Sequence, residues 1–400
     1  MGRDPRTRMH PRHRIDASAP DALFALTHWL APAAVRQSRR FPAPTGTTLT
    51  CLSVRSAFDL LLTALDLPVG DEILVSGITH PDMVRIIRIH GLQAVPIDVH
   101  PLSVVPRQGL LEAAITARTR AILVAHLFGA RVELDGVAEL AARHRLLLVE
   151  NCAQSVRGAD DPGHPRADAS LFSFGFIKTA TAFGGGRVRV RDAELAARMD
   201  EIHRRWPIQS RTEYAGKALR GLATLVLTQP LVYGATIGRD PDRRATRFAR
   251  SFPAEPDDAF LAAIRRQPGP ALQATLDRRL RRFPAERLRR RAEAGDRLVA
   301  RLPPGLEHPG GLGESSHWLV PLVTDRPGAL IAHLRARGFD ATQGASQIAV
   351  VPAPGGYARF EPHQARELMA RIVFVPAYPE LSAPEFDRLV RALHDFAAGV

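Results

Sequence analysis

The chain has 400 residues, 45% of them apolar and 24% charged, the make-up of a globular protein with room for one large core and a smaller one. Its formal net charge of +13 comes without a nucleic-acid-binding motif and with only 6% aromatic residues, so we expect an arginine-rich surface suited to anionic substrates and no nucleic-acid partner. Two cysteines, Cys51 and Cys152, are too few for a disulfide framework and have no metal-ligand spacing, so no metal is expected.

Residues 1–45 are rich in Arg, Pro and His and carry no apolar segment of the secretory kind, which suggests a cytoplasmic protein. They read as an arm, either lying across a partner subunit or without structure. Within it Asp21 to Leu30 suggests a short helix with Asp21 as N-cap. From Ser53 to Leu67 the apolar residues Ala57, Leu60, Leu61, Ala64 and Leu65 recur at helical spacing behind small polar residues. Strands then alternate with helices: strands at 72–76, 93–98 and 120–126, helices at 81–90, 108–116 and 133–144. This pattern predicts a largely parallel sheet with helices on both faces.

Two further apolar runs release polar residues at their C-terminal ends. Leu146 to Val149 leads into Glu150, Asn151, Cys152, Ala153 and Gln154. Ala169 to Phe174 leads through Gly175 to Lys178, with glycines following at 184 to 186. An open α/β sheet builds its ligand site in this way. Lys178 is one of only two lysines, the other being Lys217, against 52 arginines. A lysine kept among Phe174, Phe176 and Phe183 suggests work that guanidinium cannot do: a desolvated amine loses its proton and forms a Schiff base. The bland alternative is a lysine that snorkels at a strand end.

The segments ENCAQ, FSFGFIK and TATAFGGG, with Arg118, Thr119, Arg120 and then AILVAHLFG, resemble the DegT/StrS-type sugar aminotransferases, a fold-type-I pyridoxal-phosphate-dependent family. The resemblance runs from about Thr48 to Met199 and resumes more weakly from about Pro268 to the C-terminus. It implies a three-layer α/β/α large domain with a mostly parallel sheet and a smaller C-terminal α+β domain. It also implies pyridoxal 5'-phosphate, held as a Schiff base by Lys178, and an amino group moved from an amino-acid donor to a keto acceptor, commonly a keto-sugar nucleotide. Carried over position by position, Arg55 and Ser56 at the first helix start and Ser173 contact the cofactor phosphate. His80 stands where the family stacks an aromatic residue on the ring, although a lone histidine there is also a common loop residue. Gln154 lies near the ring's phenolic oxygen.

Asn151 departs from the family. There an Asp pairs with the pyridine nitrogen and keeps it protonated; Asn is neutral and only hydrogen-bonds, and Glu150 faces the opposite side of its strand. Val54 and Arg55 replace Gly and Thr of the family's phosphate-binding turn. A further family loop, which lends a second-subunit contact to the phosphate, is missing. In its place residues 206–253 suggest two short helices broken at Pro230, carrying the apolar insert Ala218 to Ile237. This insert would pack at a dimer interface or over the site, with shallow membrane contact as the minor alternative and no stable insertion. Asp277 to Arg301 reads as one arginine-dense helical stretch. Strands at 316–323 and 371–375, a helix at 326–337 and a terminal helix at 383–398 follow.

The expected division is an arm (1–45), a cofactor-binding domain (46–205), a helical insert (206–264) and a small domain (265–400), in a homodimer. The competing expectation is a catalytically weakened or non-enzymatic homologue with a regulatory or structural role, motivated by Asn151, Val54 and the missing loop.

Overall fold

The computed structural model describes residues 8–30, 47–236, 256–309, 314–344 and 347–399. Helix α1 (Ala19–Leu30) begins two residues before the expected start. Asp21 therefore lies inside its first turn rather than at the cap, and its carboxylate accepts from the Ser18 amide and hydroxyl. Strand β1 (Thr48–Cys51) leads into α2 (Val54–Leu65), whose N-cap Ser53 accepts a hydrogen bond from the Ser56 amide. Next come β2 (Glu72–Ser76), β3 (Ile78–Thr79), α3 (Pro81–Ile89), β4 (Gln93–Ile97), α4 (Gln108–Ala114), β5 (Thr119–Ala125), α5 (Asp135–His144), β6 (Leu147–Asn151), β7 (Ala169–Ser173), β8 (Gly186–Val190) and α6 (Ala193–Arg204).

Seven of these strands form one sheet in the order β1-β8-β7-β6-β5-β2-β4. The neighbours from β4 to β7 pair in parallel, and β8 runs antiparallel to both β7 and β1. Because side chains alternate along a strand, each strand feeds two cores. Ile73, Leu123, Val149, Leu171 and Val188 pack with Phe58 and Leu61 of α2 and Met199 of α6. Leu74, Val95, Ile122, Val124 and Leu148 pack with Leu111 of α4 and Leu140 of α5. This is a three-layer α/β/α arrangement, the architecture of fold-type-I aminotransferases. The parallel run sends the C-terminal ends of β1, β5, β6 and β7 to one edge, where β8 begins.

Helices α7 (Arg211–Leu227) and α8 (Pro230–Thr236) are the two expected short helices, and Pro230 starts the second. Ile237, the end of the apolar insert, lies outside the described residues. After α9 (Asp257–Ile264) come α10 (Pro270–Arg281) and α11 (Ala285–Val299). The single helical stretch expected over 277–301 is thus two helices, interrupted where Pro284 removes an amide donor. Strand β9 (Val320–Val323) pairs antiparallel with β11 (Ile372–Val375), with α12 (Pro327–Ala336), β10 (Ala349–Val350) and α13 (His363–Arg371) between them and α14 (Ala383–Ala398) after. Their core joins Leu322, Leu330, Leu334, Val373, Leu389 and Leu393.

Two links tie the parts together. Strand β3 pairs with β10, so the loop after β2 is stitched to the C-terminal region. The segment from His10 to Asp21 runs over its own chain: His10 exchanges backbone hydrogen bonds with Gly338 and Asp340 at 2.8 and 2.9 Å, and Arg12 binds Asp340 at 2.7 Å. Arg279 of α10 donates to Asp21 at 2.8 Å and to the Asp16 carbonyl at 2.6 Å.

Candidate functional site

The loop that carries Lys178 starts where β7 ends. The Phe174 carbonyl accepts from the amides of Ala182 and Gly184, at 3.0 and 3.3 Å, and the Lys178 amide donates to Gly175 at 3.0 Å. These bonds fold residues 174–184 back on themselves. Phe174 and Phe183 are buried beneath. Helix α7 supports the loop from outside. Tyr214 Oη donates to the Ala182 carbonyl at 3.0 Å, and Gly221 lies so close to Phe183 that a Cβ there would sit 2.4 Å from the ring. One face of the insert therefore packs over the site loop. Its other face leaves Leu219, Val226 and Leu231 exposed.

Lys178 Nζ sits on the face of Trp318, 3.9 Å from the ring centroid. The amine has no hydrogen bond or ion pair among the described residues. Burial alone pulls its pKa from 10.5 down to about 7. Trp318 Nε1 donates to the Ile177 carbonyl at 2.9 Å, and His13 Nε2 donates to the same oxygen at 3.2 Å. Burial, with the nearby Arg291 and Arg287 charges, keeps His13 neutral, its pKa down at about 3.

The remaining expected site residues line the same edge. Asn151 ends β6 and Ser173 ends β7, two strands that pair directly. Asn151 Oδ1 accepts from the Ala153 amide at 3.1 Å, an Asx turn in which Nδ2 makes no hydrogen bond among the described residues. Ser56 is buried and its hydroxyl lies 2.9 Å from Ser53 Oγ. Its amide is taken by the N-cap, so the amides available to an anion are those of the turn before it. Gly186 makes this helix start possible, since a Cβ there would meet the Ser53 carbonyl carbon at 2.6 Å.

Arg55 donates to Asp82 at 3.0 Å. His80 is the N-cap of α3: its Nδ1 accepts from the Asp82 amide at 3.1 Å, and its Nε2 bonds Gln347 Oε1, also at 3.1 Å. Burial lowers the His80 pKa, against the pull of Asp82 and Gln347 and with the Arg55 charge acting in the same direction, so His80 presents a neutral ring. Gln154 Oε1 accepts from the Phe128 amide at 2.8 Å. Arg55, His80 and Gln154 are thus held in place by partners that the sequence pattern did not name.

On the opposite face Glu150 is wholly buried. It accepts from His126 Nε2 at 2.8 Å, Ser170 Oγ at 2.6 Å and the His164 amide at 2.5 Å, with Arg131 at 3.4 Å. Burial alone would raise its pKa, but the hydrogen bonds from His126 and Ser170 and the Arg131 charge bring it down to about 2. Gly163, at φ +72°, lets the backbone press against this cluster, where a Cβ would fall 2.1 Å from Glu150 Oε1. His126, Glu150 and Cys152 are close enough together to suggest a metal site. However, His126 Nδ1 accepts from the Val132 amide at 3.1 Å while Nε2 donates to Glu150, so both ring nitrogens are already used. Sequence reasoning missed this network, Trp318 and His13. His126, in the segment AILVAHLFG, is the one visible signal, and nothing near Lys178 in the chain announces Trp318.

Residues 41–218 match the DegT/DnrJ/EryC1/StrS aminotransferase family. An L-glutamine:2-deoxy-scyllo-inosose aminotransferase of Streptomyces fradiae is 38% identical over 148 residues, which cover 36% of this chain and 34% of that protein. The chain thus aligns with about a third of that relative's length. Over the whole chain the fold is similar to the aminotransferase TlmJ from Streptoalloteichus hindustanus, with a TM-score of 0.68 at 19% identity, covering 98% of this chain and 99% of that one. It is likewise similar to a sugar aminotransferase Spr1654 from Streptococcus pneumoniae solved in its PLP form, with a TM-score of 0.66 at 16% identity, covering 97% and 98%. The stretch that is similar to the DegT/DnrJ/EryC1/StrS aminotransferase family, residues 41–218, is the one that carries Lys178 and the polar strand ends around it.

Proposed function

We propose that the protein is a pyridoxal-phosphate-dependent aminotransferase that moves an amino group from an amino-acid donor to a keto acceptor of the keto-sugar class, a keto-sugar nucleotide in the form suited to its basic surface. The observation that carries this reading is the Lys178 amine, desolvated, without a partner among the described residues and drawn down to about 7, so that a large fraction of it is neutral near that pH. The surrounding residues fit the group: a helix start and the hydroxyls of Ser56 and Ser173 for a phosphate, a neutral His80 ring for an aromatic plane, and the Asn151 amide group, whose Nδ2 hydrogens have no acceptor among the described residues.

Bound there, pyridoxal phosphate supplies an electron sink through which the amino group is exchanged. Arg55, Ser56, Ser173 and the start of α2 would hold its phosphate, and His80 and Gln154 would border its ring. Lys178 would anchor the group through its amine and, when not so engaged, would accept or donate a proton at Nζ. The purified protein is expected to be yellow and to retain the cofactor covalently after borohydride; colourless protein that takes up no cofactor would sink the reading.

Asn151 sets the expected rate. Its Nδ2 hydrogens could donate to a pyridine nitrogen but could not keep it protonated. A hydrogen bond to a charged group is worth roughly 1.5–3 kcal/mol, so Asn151→Asp should speed the donor half-reaction about ten- to a hundred-fold. The check is single-turnover absorbance with one donor. An unchanged spectrum and rate would remove Asn151 from the ring nitrogen and leave it as a turn residue only. A half-reaction that proceeds while steady turnover fails would favour the weakened, regulatory homologue.

The reading extends to a homodimer in the cytoplasm, with the arm, cofactor domain, insert and small domain divided as the sequence suggests. In support, α7 and α8 expose Leu219, Val226 and Leu231, and both cysteines are buried and free. No helix among the described residues is long and apolar enough to cross a membrane. Sedimentation at micromolar concentration should give a dimer; a cofactor-loaded monomer would count against it.

A further inference from the structure

The Lys178 amine has no hydrogen bond of its own among the described residues, so its place on Trp318 is set by the backbone that carries it. That backbone is gripped from both sides by the N-terminal segment. Before the lysine, the Ile177 carbonyl accepts from His13 Nε2 at 3.2 Å and from Trp318 Nε1 at 2.9 Å. After it, the Ala180 amide donates to Asp16 Oδ2 at 2.9 Å. Helices add two further holds: Arg291 donates to Thr179 Oγ1 at 2.9 Å and Arg279 to the Thr181 carbonyl at 3.2 Å.

The hold at Ala180 works against the residue's own preference. Ala180 has φ +52°, in the left-handed region where a Cβ crowds the backbone. A residue other than glycine stays there only where its surroundings over-determine it, and such positions gather at functional loops. Asp16 supplies the constraint. It is only 4% exposed, its carbonyl accepts from Arg279 Nη2 at 2.6 Å, and its Oδ1 lies 3.5 Å from both Arg279 and Arg287. The segment is anchored at its other end on the small domain, where Arg12 binds Asp340 at 2.7 Å.

We propose that Asp16 is a positioning residue for Lys178: by capturing the Ala180 amide it holds the loop in its left-handed turn and keeps the amine on the face of Trp318. The proposal rests on the aminotransferase reading and gives the N-terminal segment a part in presenting the amine which that reading uses.

The titratable and charged groups around the amine are His13 of the N-terminal segment, His80 at the start of α3, and Arg291 of α11, which reaches the neighbouring Thr179. Burial alone draws the amine down to about 7, so Asp16 acts on it through position and not through charge. A loop released from Asp16 would let water reach the amine and move its pKa back toward 10.5.

The test is competitive labelling of the full-length, cofactor-free protein with acetic anhydride over a range of pH, read by peptide mass spectrometry. Lys217, the only other lysine, is the internal reference. Wild-type Lys178 should label with a midpoint near 7. Asp16→Ala should raise that midpoint by about one pH unit or more. Asp16→Asn, which keeps an acceptor for the Ala180 amide, should hold it within about 0.3 of wild type. In Asp16→Ala, Arg279 keeps Asp21 at 2.8 Å and Arg287 keeps Glu380 at 3.0 Å, so neither cation is stranded. Should the alanine variant not fold, Asp16→Leu, of nearly the same shape as Asp and without an acceptor, should show the same rise. A melting temperature that falls while the Lys178 midpoint stays at its wild-type value would make Asp16 a structural residue only and overturn the proposal. An equal rise in Asp16→Asn and Asp16→Ala would overturn it too, because charge and not the captured amide would then be responsible. Wild-type protein whose Lys178 labels near 7 yet takes up no cofactor overturns the aminotransferase reading instead, so the two failures are distinguishable.

Discussion

Replacing Lys178 with alanine is expected to abolish the borohydride-fixed cofactor adduct, while Lys217→Ala retains it. Lys217 lies on α7, paired with Glu213 at 2.9 Å. Lys178 rests on Trp318 with its amine otherwise unengaged among the described residues. Any cofactor still bound by Lys178→Ala should react with donor about 10²- to 10⁴-fold more slowly, the usual worth of a positioned proton carrier. An adduct that survives in this variant would overturn the assignment.

The same burial has a pH signature. Cofactor capture needs the neutral amine, so its rate should climb with pH and reach half its maximum near 7. Stability moves in the same direction. The folded-state pKa of Lys178 is pulled below its ordinary value of 10.5, so between about 7 and 10.5 the unfolded chain binds the extra proton. Relative to Lys178→Met, the cofactor-free wild type should gain stability as pH rises through that window and show a constant deficit below it. Denaturant titrations at several pH values test this; a pH-independent difference would mean that the amine is not desolvated.

Glu150→Ala should be the most destabilising single change near the site, by about 3–5 kcal/mol, because it leaves buried partners of a charge unmatched. Arg131 would keep Asp161, at 2.5 Å, but the His126 and Ser170 donors and the His164 amide would lose their acceptor. Glu150→Gln, which still offers an acceptor oxygen, should cost less. The Glu150 pKa is depressed from 4.5 to about 2, so its contribution is complete above about pH 4.5 and is lost as pH falls toward 2. The network lies on the sheet face opposite Asn151, and the bound cofactor's spectrum should therefore be unchanged in Glu150→Gln. Equal denaturation midpoints for wild type and Glu150→Ala would contradict this account.

The contrast between Glu150 and Asn151 shows how far the chain alone could be read. Strand periodicity was enough to put adjacent residues on opposite faces, and the two cores confirm that alternation for Leu148 and Val149. It could not say what waits on the buried face, since Ser170 and His164 reach Glu150 only after β7 pairs with β6. The helix start at Ser53 was legible because an N-cap is a local event within four residues. The break at Pro284 was equally local, but the arginine-rich helical pattern on both sides concealed it.

By itself the sequence determined the alternation of strands and helices, the polar strand ends and the isolation of Lys178 among phenylalanines. All of these depend on residues within a few positions of one another, where backbone sterics and side-chain period decide the outcome. Only the tertiary structure brought Trp318 under Lys178, Gln347 to His80, and His13, Arg291 and Tyr378 to one cavity. Those partners lie tens to hundreds of residues apart. Their meeting depends on how the small domain and the N-terminal segment pack against the sheet, a sum of many weak apolar contacts that no short motif encodes.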